Sequence, residues 1–331
     1  MDIGHLMDIL APDLAQLNFV DLWLGHDYAE YNEISGAYAP IKPLATELDK
    51  DAERVRDHCR RTYAATSERG FTIDLKPGCL CRVTVMHDLR AEPVFILRKI
   101  LSEIRPIAKI GLPRQMAELV LSADTRGLIL VSGKQGAGKT NTAASIFSAR
   151  LHQHGGRGLA VEDPPELKLD GRHGAGRGFQ VGVSPKQGSY VDQIRTGMRT
   201  GTDLLFIGEI RDPDTAREAV LASINGMTTI ATVHATDVID AVRRVVTWAQ
   251  SSHSGFANAS ELIGAGLSAV IHQRMERVET IGGVKARPLF NTLAVAGTER
   301  DGDAIRAKIK QGNLDSLAEN IDQQNKRQQL S

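Results

Sequence analysis

The pattern of apolar and polar positions changes character near residue 105. In the first hundred residues, NFVDLWLG and YNEISGAYAPI, then GFTIDL, CLCRVTVMHDL and PVFILRKI, are short alternating or apolar runs bounded by polar turns, which predicts strands. Between them ATELDKDAERVRDHCRRTYAA carries charges spaced for i,i+4 pairing and predicts a helix. Strands, helix, strands is the order of a small α+β domain over residues 1–105. Pro106, Gly111 and Pro113 then punctuate a predicted linker at 106–113. Beyond it GLILVSG, GLAVEDP, DLLFIGE and TTIATVH are apolar at successive positions and alternate with helical stretches, one from Lys139 to about Leu151 and one around Asp214–Asn225. Strands buried on both faces and alternating with helices predict a mostly parallel sheet in an α/β domain over 114–297. The polar segment Thr298–Ser331 predicts a C-terminal helical piece.

Composition narrows the class. The chain has 331 residues, enough for two domains with cores of their own, and its 42 % hydrophobic content excludes a disordered chain. Lys and Arg number 40 against 40 Asp and Glu, so bulk charge gives no reason to expect binding to nucleic acid or anionic lipid. Cys59, Cys79 and Cys81 cannot make a disulfide framework, and the spacing of the last two does not fit half of a CxxC zinc site. MDIGHLMDIL lacks the basic and apolar regions of a secretory signal, and the longest aliphatic runs are too short to span a bilayer. The expectation is a reduced, soluble, intracellular protein.

The strongest chemical signal is Gly133-Lys134-Gln135-Gly136-Ala137-Gly138-Lys139-Thr140, a GxxxxGK[ST] string fed by the strand GLILVS and followed by a helix that begins with Asn141 close behind. Glycines at 133, 136 and 138 let backbone N–H groups curl around a phosphate chain, and the helix dipole points its positive end at the same anion. Lys139 would reach the β- and γ-phosphates and Thr140 would hold Mg²⁺. Acidic partners stand at strand ends: Glu162 closes GLAVE and Glu209 closes DLLFIGE, where open α/β sheets bind ligands. Glu209 replaces the usual terminal Asp of such a strand and has the reach to orient or deprotonate water. His234 closes TTIATVH; a structural histidine and a γ-phosphate sensor are both open readings.

Together GKQGAGKT, AVEDPPE, DQIRTGMRTGTDLLFIGEIRD and NGMTTIATVHATD resemble the Walker A, Asp box, Walker B and His box of the type II/type IV secretion ATPases, in that family's order. FVDLWLG and CRVTVMHDLRAEPVFILRKI resemble strands of the family's PAS-like N-terminal domain, SAVIHQRM a late helix, and AIRAKIKQG the C-terminal motif of retraction motors. The resemblance implies a RecA-like P-loop ATPase domain behind a smaller PAS-like domain, with ATP and Mg²⁺ bound at Gly133–Asn141. It implies that Glu209 is the catalytic carboxylate, that Glu162 and Glu209 assist the metal with Thr140, and that His234 reports on the γ-phosphate. Arg82 and Arg98 match the family's arginine fingers, and Arg195 and Arg199 the nucleotide-side arginines before Walker B. It also implies a homo-hexameric motor in the cytoplasm, held on the inner face of the inner membrane by platform or secretion-channel proteins, with no direct contact to nucleic acid. No tetracysteine module is present, which fits the retraction branch or the transfer ATPases of conjugative plasmids and type IVB systems. A RecA-like nucleic-acid translocase and a non-hydrolysing nucleotide-binding regulator are the alternatives.

Overall fold

A computed structural model describes residues 13–33, 40–77, 79–100, 103–183, 188–252, 256–280, 283–297 and 301–329. The N-terminal decapeptide, most of YNEISGAYAPI and the ends of the polar C-terminal segment lie outside the described residues. The chain divides into two units, Met1–Ser102 and Glu103–Ser331.

In the first unit the strands are β1 (Asp21–Leu24), β2 (Ala29–Asn32), β3 (Lys42–Pro43), β4 (Gly70–Asp74), β5 (Leu80–His87) and β6 (Pro93–Lys99), with helix α1 (Asp49–Thr66) between β3 and β4. They form one six-stranded antiparallel sheet in the order β3-β2-β1-β6-β5-β4. Period-two alternation explains the layer: Cys81, Val83 and Val85 of β5 point inward with Leu22, Leu24, Phe95 and Leu97, and α1 covers them with Ala52, Val55 and Cys59. Burial pushes the Cys59 and Cys81 thiols up to about 12, so they behave as small apolar core residues.

The second unit opens with α2 (Arg114–Leu121), then β7 (Gly127–Ser132), α3 (Lys139–His154), β8 (Arg157–Glu162), β9 (Gly171–His173), β10 (Gly176–Gly182), α4 (Tyr190–Gly197), β11 (Leu204–Ile210), α5 (Pro213–Ile224), β12 (Thr228–Val233), α6 (Val238–Gln250), α7 (Ala259–Gly266), β13 (Leu267–Thr280), β14 (Gly283–Ala294), α8 (Gly302–Lys310) and α9 (Leu317–Gln329). Its eight-stranded sheet runs β14-β13-β7-β12-β11-β8-β10-β9, parallel from β13 through β10 and antiparallel at both edges. The apolar strands are explained by cover on both faces. Leu128 and Leu130 pack with α5 and α6, whereas Ile129 and Val131 pack with Ala143, Ala144 and Phe147 of α3. Burying a Val, Leu or Ile side chain fully stabilises by roughly 1.5–3 kcal/mol, so these central strands dominate the core.

One expectation fails. SAVIHQRM is not a helix: it lies in β13, paired parallel with β7 and antiparallel with β14. Residues 268–273 are buried on both faces, which removes the periodicity that separates a strand from a helix, and the adjacent β-branched Val270 and Ile271 suit the strand. Helix α9 then closes the β14 edge with side-chain amides. Asn325 accepts from the Thr292 N–H at 3.1 Å and donates to its carbonyl at 2.9 Å, and Gln324 does the same to Ala294 at 2.8 and 2.9 Å. Those carboxamides occupy backbone groups that an open edge would offer to another chain.

Candidate functional site

The chain leaves β7 at Ser132 and turns through Gly133–Gly138 into α3. Glycine is required at both ends of this turn. A Cβ on Gly133 would lie 2.3 Å from the Gln273 carbonyl oxygen, and Gly138 caps α3 at φ +83°. Among the described residues no side chain caps α3, while Ser189, Asp212 and Asp237 cap α4, α5 and α6. The first-turn N–H groups of α3, and the positive end of its dipole, therefore stay available to an anion.

Lys139, only 8 % exposed, begins that helix. Its Nζ donates to the Lys134 carbonyl at 3.2 Å and lies 3.4 Å from Nδ1 of His234, whose Nε2 is 3.0 Å from Oε1 of Glu209. An imidazole carrying its proton on Nε2 satisfies both neighbours, accepting from the lysine and donating to the carboxylate. Burial draws the Lys139 ammonium below the usual lysine range, opposed by the carboxylates of Glu209 and Glu166. Glu209 is placed by an irregularity: the register between β11 and β12 shifts between Ile207 and Ile210, and Thr232 Oγ1 donates to the Gly208 carbonyl. Such irregularities re-aim side chains next to reactive centres.

Glu162 ends β8 and is 2 % exposed. It packs against the strand that carries Glu209, because a Cβ on Gly208 would come within 3.0 Å of its Cγ. Burial raises its carboxyl from 4.5 to about 8, with the Gln180 amide pulling the other way. Gln180 on β10 donates Nε2 to Glu162 and to the Leu167 carbonyl, and its Oε1 accepts from the N–H groups of Leu169 at 3.0 Å and Asp170 at 3.3 Å.

The strand ends thus bring Lys139, His234 and Glu209 into hydrogen-bond contact and place Glu162 against Gly208, the residue before Glu209. Arg195 is held elsewhere: from α4 it donates to Glu218 Oε1 of α5 at 2.7 Å, an oxygen shared with Arg217. Arg199 sits exposed in the turn after α4. Arg82 and Arg98 belong to the first unit, directly opposite each other on β5 and β6, and Arg98 makes a bidentate pair with Asp21 of β1 at 2.7 Å. Sequence reasoning missed Gln180, His272 and Gln273. The last two lie on β13 behind the phosphate-loop turn, where His272 Nδ1 is 3.1 Å from Ser132 Oγ and Gln273 donates Nε2 to the Ala137 carbonyl. The only signal for these two was that they directly follow the apolar run Ala269–Ile271, with no motif spacing to mark them.

Residues 88–310 match the profile of the family described as Type II/IV secretion system protein. The type II secretion system protein HxcR of Pseudomonas aeruginosa is 34 % identical over 204 residues, which cover 56 % of this chain but 40 % of HxcR. The type IV pilus ATPase PilU of the same organism is 24 % identical over 87 % of this chain and 75 % of its own. Among solved structures, the pilus retraction motor PilT with bound ADP superposes with a TM-score of 0.73 at 24 % identity, covering 96 % of this chain and 88 % of PilT. The ATPase DotB of Legionella pneumophila gives 0.65 at 19 %, covering 91 % and 84 %. These likenesses show the fold, and with the profile match over most of its length the chain belongs to the type II/IV secretion system protein family.

Proposed function

We propose that this chain is an ATP-hydrolysing motor subunit that works as a homo-hexamer to power a pilus, conjugation or type IV secretion apparatus. The observation that carries the reading is the Lys139–His234–Glu209 chain beside the uncapped start of α3. In it, the cation for the β- and γ-phosphates and the carboxylate for the attacking water share one imidazole. A γ-phosphate that draws Lys139 away from His234 also changes what the imidazole offers Glu209, which couples nucleotide occupancy to the base. Thr140 and the carboxylates of Glu162 and Glu209 are hard oxygen donors, the kind Mg²⁺ prefers. The buried Glu162, with its raised pKa and no cation paired to it among the described residues, is a carboxylate that a dication would favour in its ionised form. The metal, when bound, supplies charge neutralisation at the β- and γ-oxygens.

Glu209 orients and deprotonates the water, Arg82 and Arg98 act as fingers toward a neighbouring subunit's nucleotide, and Arg195 and Arg199 are nucleotide-side arginines that reach phosphate only after Arg195 leaves Glu218. Partners of the ring are inner-membrane platform or secretion-channel proteins, which would hold it at the cytoplasmic face; among the described residues no helix is long and apolar enough to cross a membrane. The test is steady-state ATPase activity per chain against protein concentration, for the parent and for Glu209→Gln. Activity that rises with concentration, together with a variant that binds ATP but loses turnover, is expected. Concentration-independent turnover by a particle of one chain, or parental turnover in Glu209→Gln, would sink the reading.

A further inference from the structure

Gln273 lies on β13 with its side chain against the back of the phosphate-loop turn, and three contacts tie the two together. Its Nε2 donates to the Ala137 carbonyl, its own carbonyl oxygen fills the space that a Cβ on Gly133 would need, and its Nε2 is 3.1 Å from where a Cβ on Gly138 would stand. The residue is 2 % exposed, and its Oε1 is buried with no hydrogen-bond partner among the described residues. That orphan is informative. Turning the carboxamide over would set oxygen against the Ala137 oxygen, so the side chain keeps its donor on Ala137 even though its acceptor goes unsatisfied.

The consequence follows from peptide geometry. The Ala137–Gly138 peptide is trans, so its C=O and N–H point in opposite directions. With the carbonyl fixed toward Gln273, the Gly138 N–H is fixed away from β13. We propose that Gln273 is a positioning residue for nucleotide: by holding the Ala137 carbonyl it aims the Gly138 N–H at the β-phosphate of ATP or ADP. His272, through Ser132 at 3.1 Å, steadies the strand end from which the same turn departs. The inference rests on Gly133–Thr140 being the nucleotide site.

A group that aims an N–H at a phosphate present in substrate and product alike contributes uniform binding, so its loss raises KM and leaves kcat. The experiment uses the full chain with Gln273→Met, which keeps volume and removes the donor, and measures KM and kcat for ATP and the Kd of a fluorescent ADP analogue. Expected are rises of about tenfold in both KM and Kd, with kcat within about twofold of the parent. Gln273→Glu, which sets a carboxylate against the Ala137 oxygen, should weaken ADP further, by about a hundredfold. If Gln273→Met does not fold, Gln273→Asn, one methylene too short to reach, should show the same split. ADP binding within twofold of the parent in the folded donor-free variant, or a fall in kcat at unchanged KM, would overturn the proposal. A parent that binds no ADP sinks the nucleotide reading itself.

Discussion

Replacing Glu162 with glutamine should change how the stability of the nucleotide-free protein depends on pH, and the sign follows from burial. The Glu162 carboxyl titrates near 4.5 when unfolded and at about 8 in the fold, because desolvation disfavours its charge. Between those values the folded chain binds the proton that the unfolded chain has released, so stability falls as pH rises through this window. Below about 4.5 both states hold the proton and the penalty vanishes; above about 8 it is complete. A separation of one pH unit between the two titrations corresponds to about 1.4 kcal/mol, so the full penalty is on the order of a few kcal/mol. In a domain the size of Glu103–Ser331, each kcal/mol moves Tm by about 2–4 °C. Glutamine stays neutral and can still accept from Gln180. The measurement is thermal unfolding of parent and Glu162→Gln from pH 5 to 9 without nucleotide or divalent ions, taking the difference so that other titrating groups cancel. The parent should be comparable at pH 5 and lower in Tm by roughly 10–20 °C at pH 9. Parallel curves across that range would refute the desolvation argument and mean that the carboxylate is stabilised in the fold.

Other consequences can be checked directly. Arg150, buried at 5 % exposure, donates Nη1 to the carbonyls of Val120 and Ser122 and Nη2 to Thr125 O and Thr228 Oγ1. Arg150→Met should lose about 3–5 kcal/mol in denaturant unfolding by orphaning these acceptors, and Arg150→Lys should not restore it because the planar fork is gone; a loss below about 1 kcal/mol would contradict that account. Arg82→Ala or Arg98→Ala should lower turnover at least about a hundredfold with little change in ATP affinity, since fingers elsewhere contribute roughly 10³–10⁵. Mixing either with Lys139→Ala should restore activity if the finger acts across subunits, and near-normal activity in both single variants would return the arginines to the role of surface charges.

What the sequence made legible follows from how strictly each piece of chemistry constrains local residues. A phosphate cradle demands glycine where the backbone takes positive φ or meets another strand, so Gly133, Gly138, Lys139 and Thr140 announce themselves within eight positions. Glu162, Glu209 and His234 were readable because each follows an apolar run, and the carboxyl ends of parallel strands converge on one edge of a sheet. Side chains that hold such a site from behind face no comparable rule. Gln180 and Gln273 need only a carboxamide whose donor reaches a particular oxygen, and the partner lies 18 residues away in one case and 136 in the other. Arg195 looked like a nucleotide arginine from its place before Walker B, and only the packing of α4 on α5 reveals that Glu218 holds it. β13 was hidden for the opposite reason. Residues 268–273 are buried on both faces, so this part of SAVIHQRM carries no period, and His272 and Gln273 read as noise until the fold sets them against the phosphate-loop turn. Local rules thus exposed the residues proposed to touch nucleotide, while the side chains that hold them from behind became visible only through topology. On the proposed reading, those hidden residues are where this chain can tune nucleotide affinity without altering any motif.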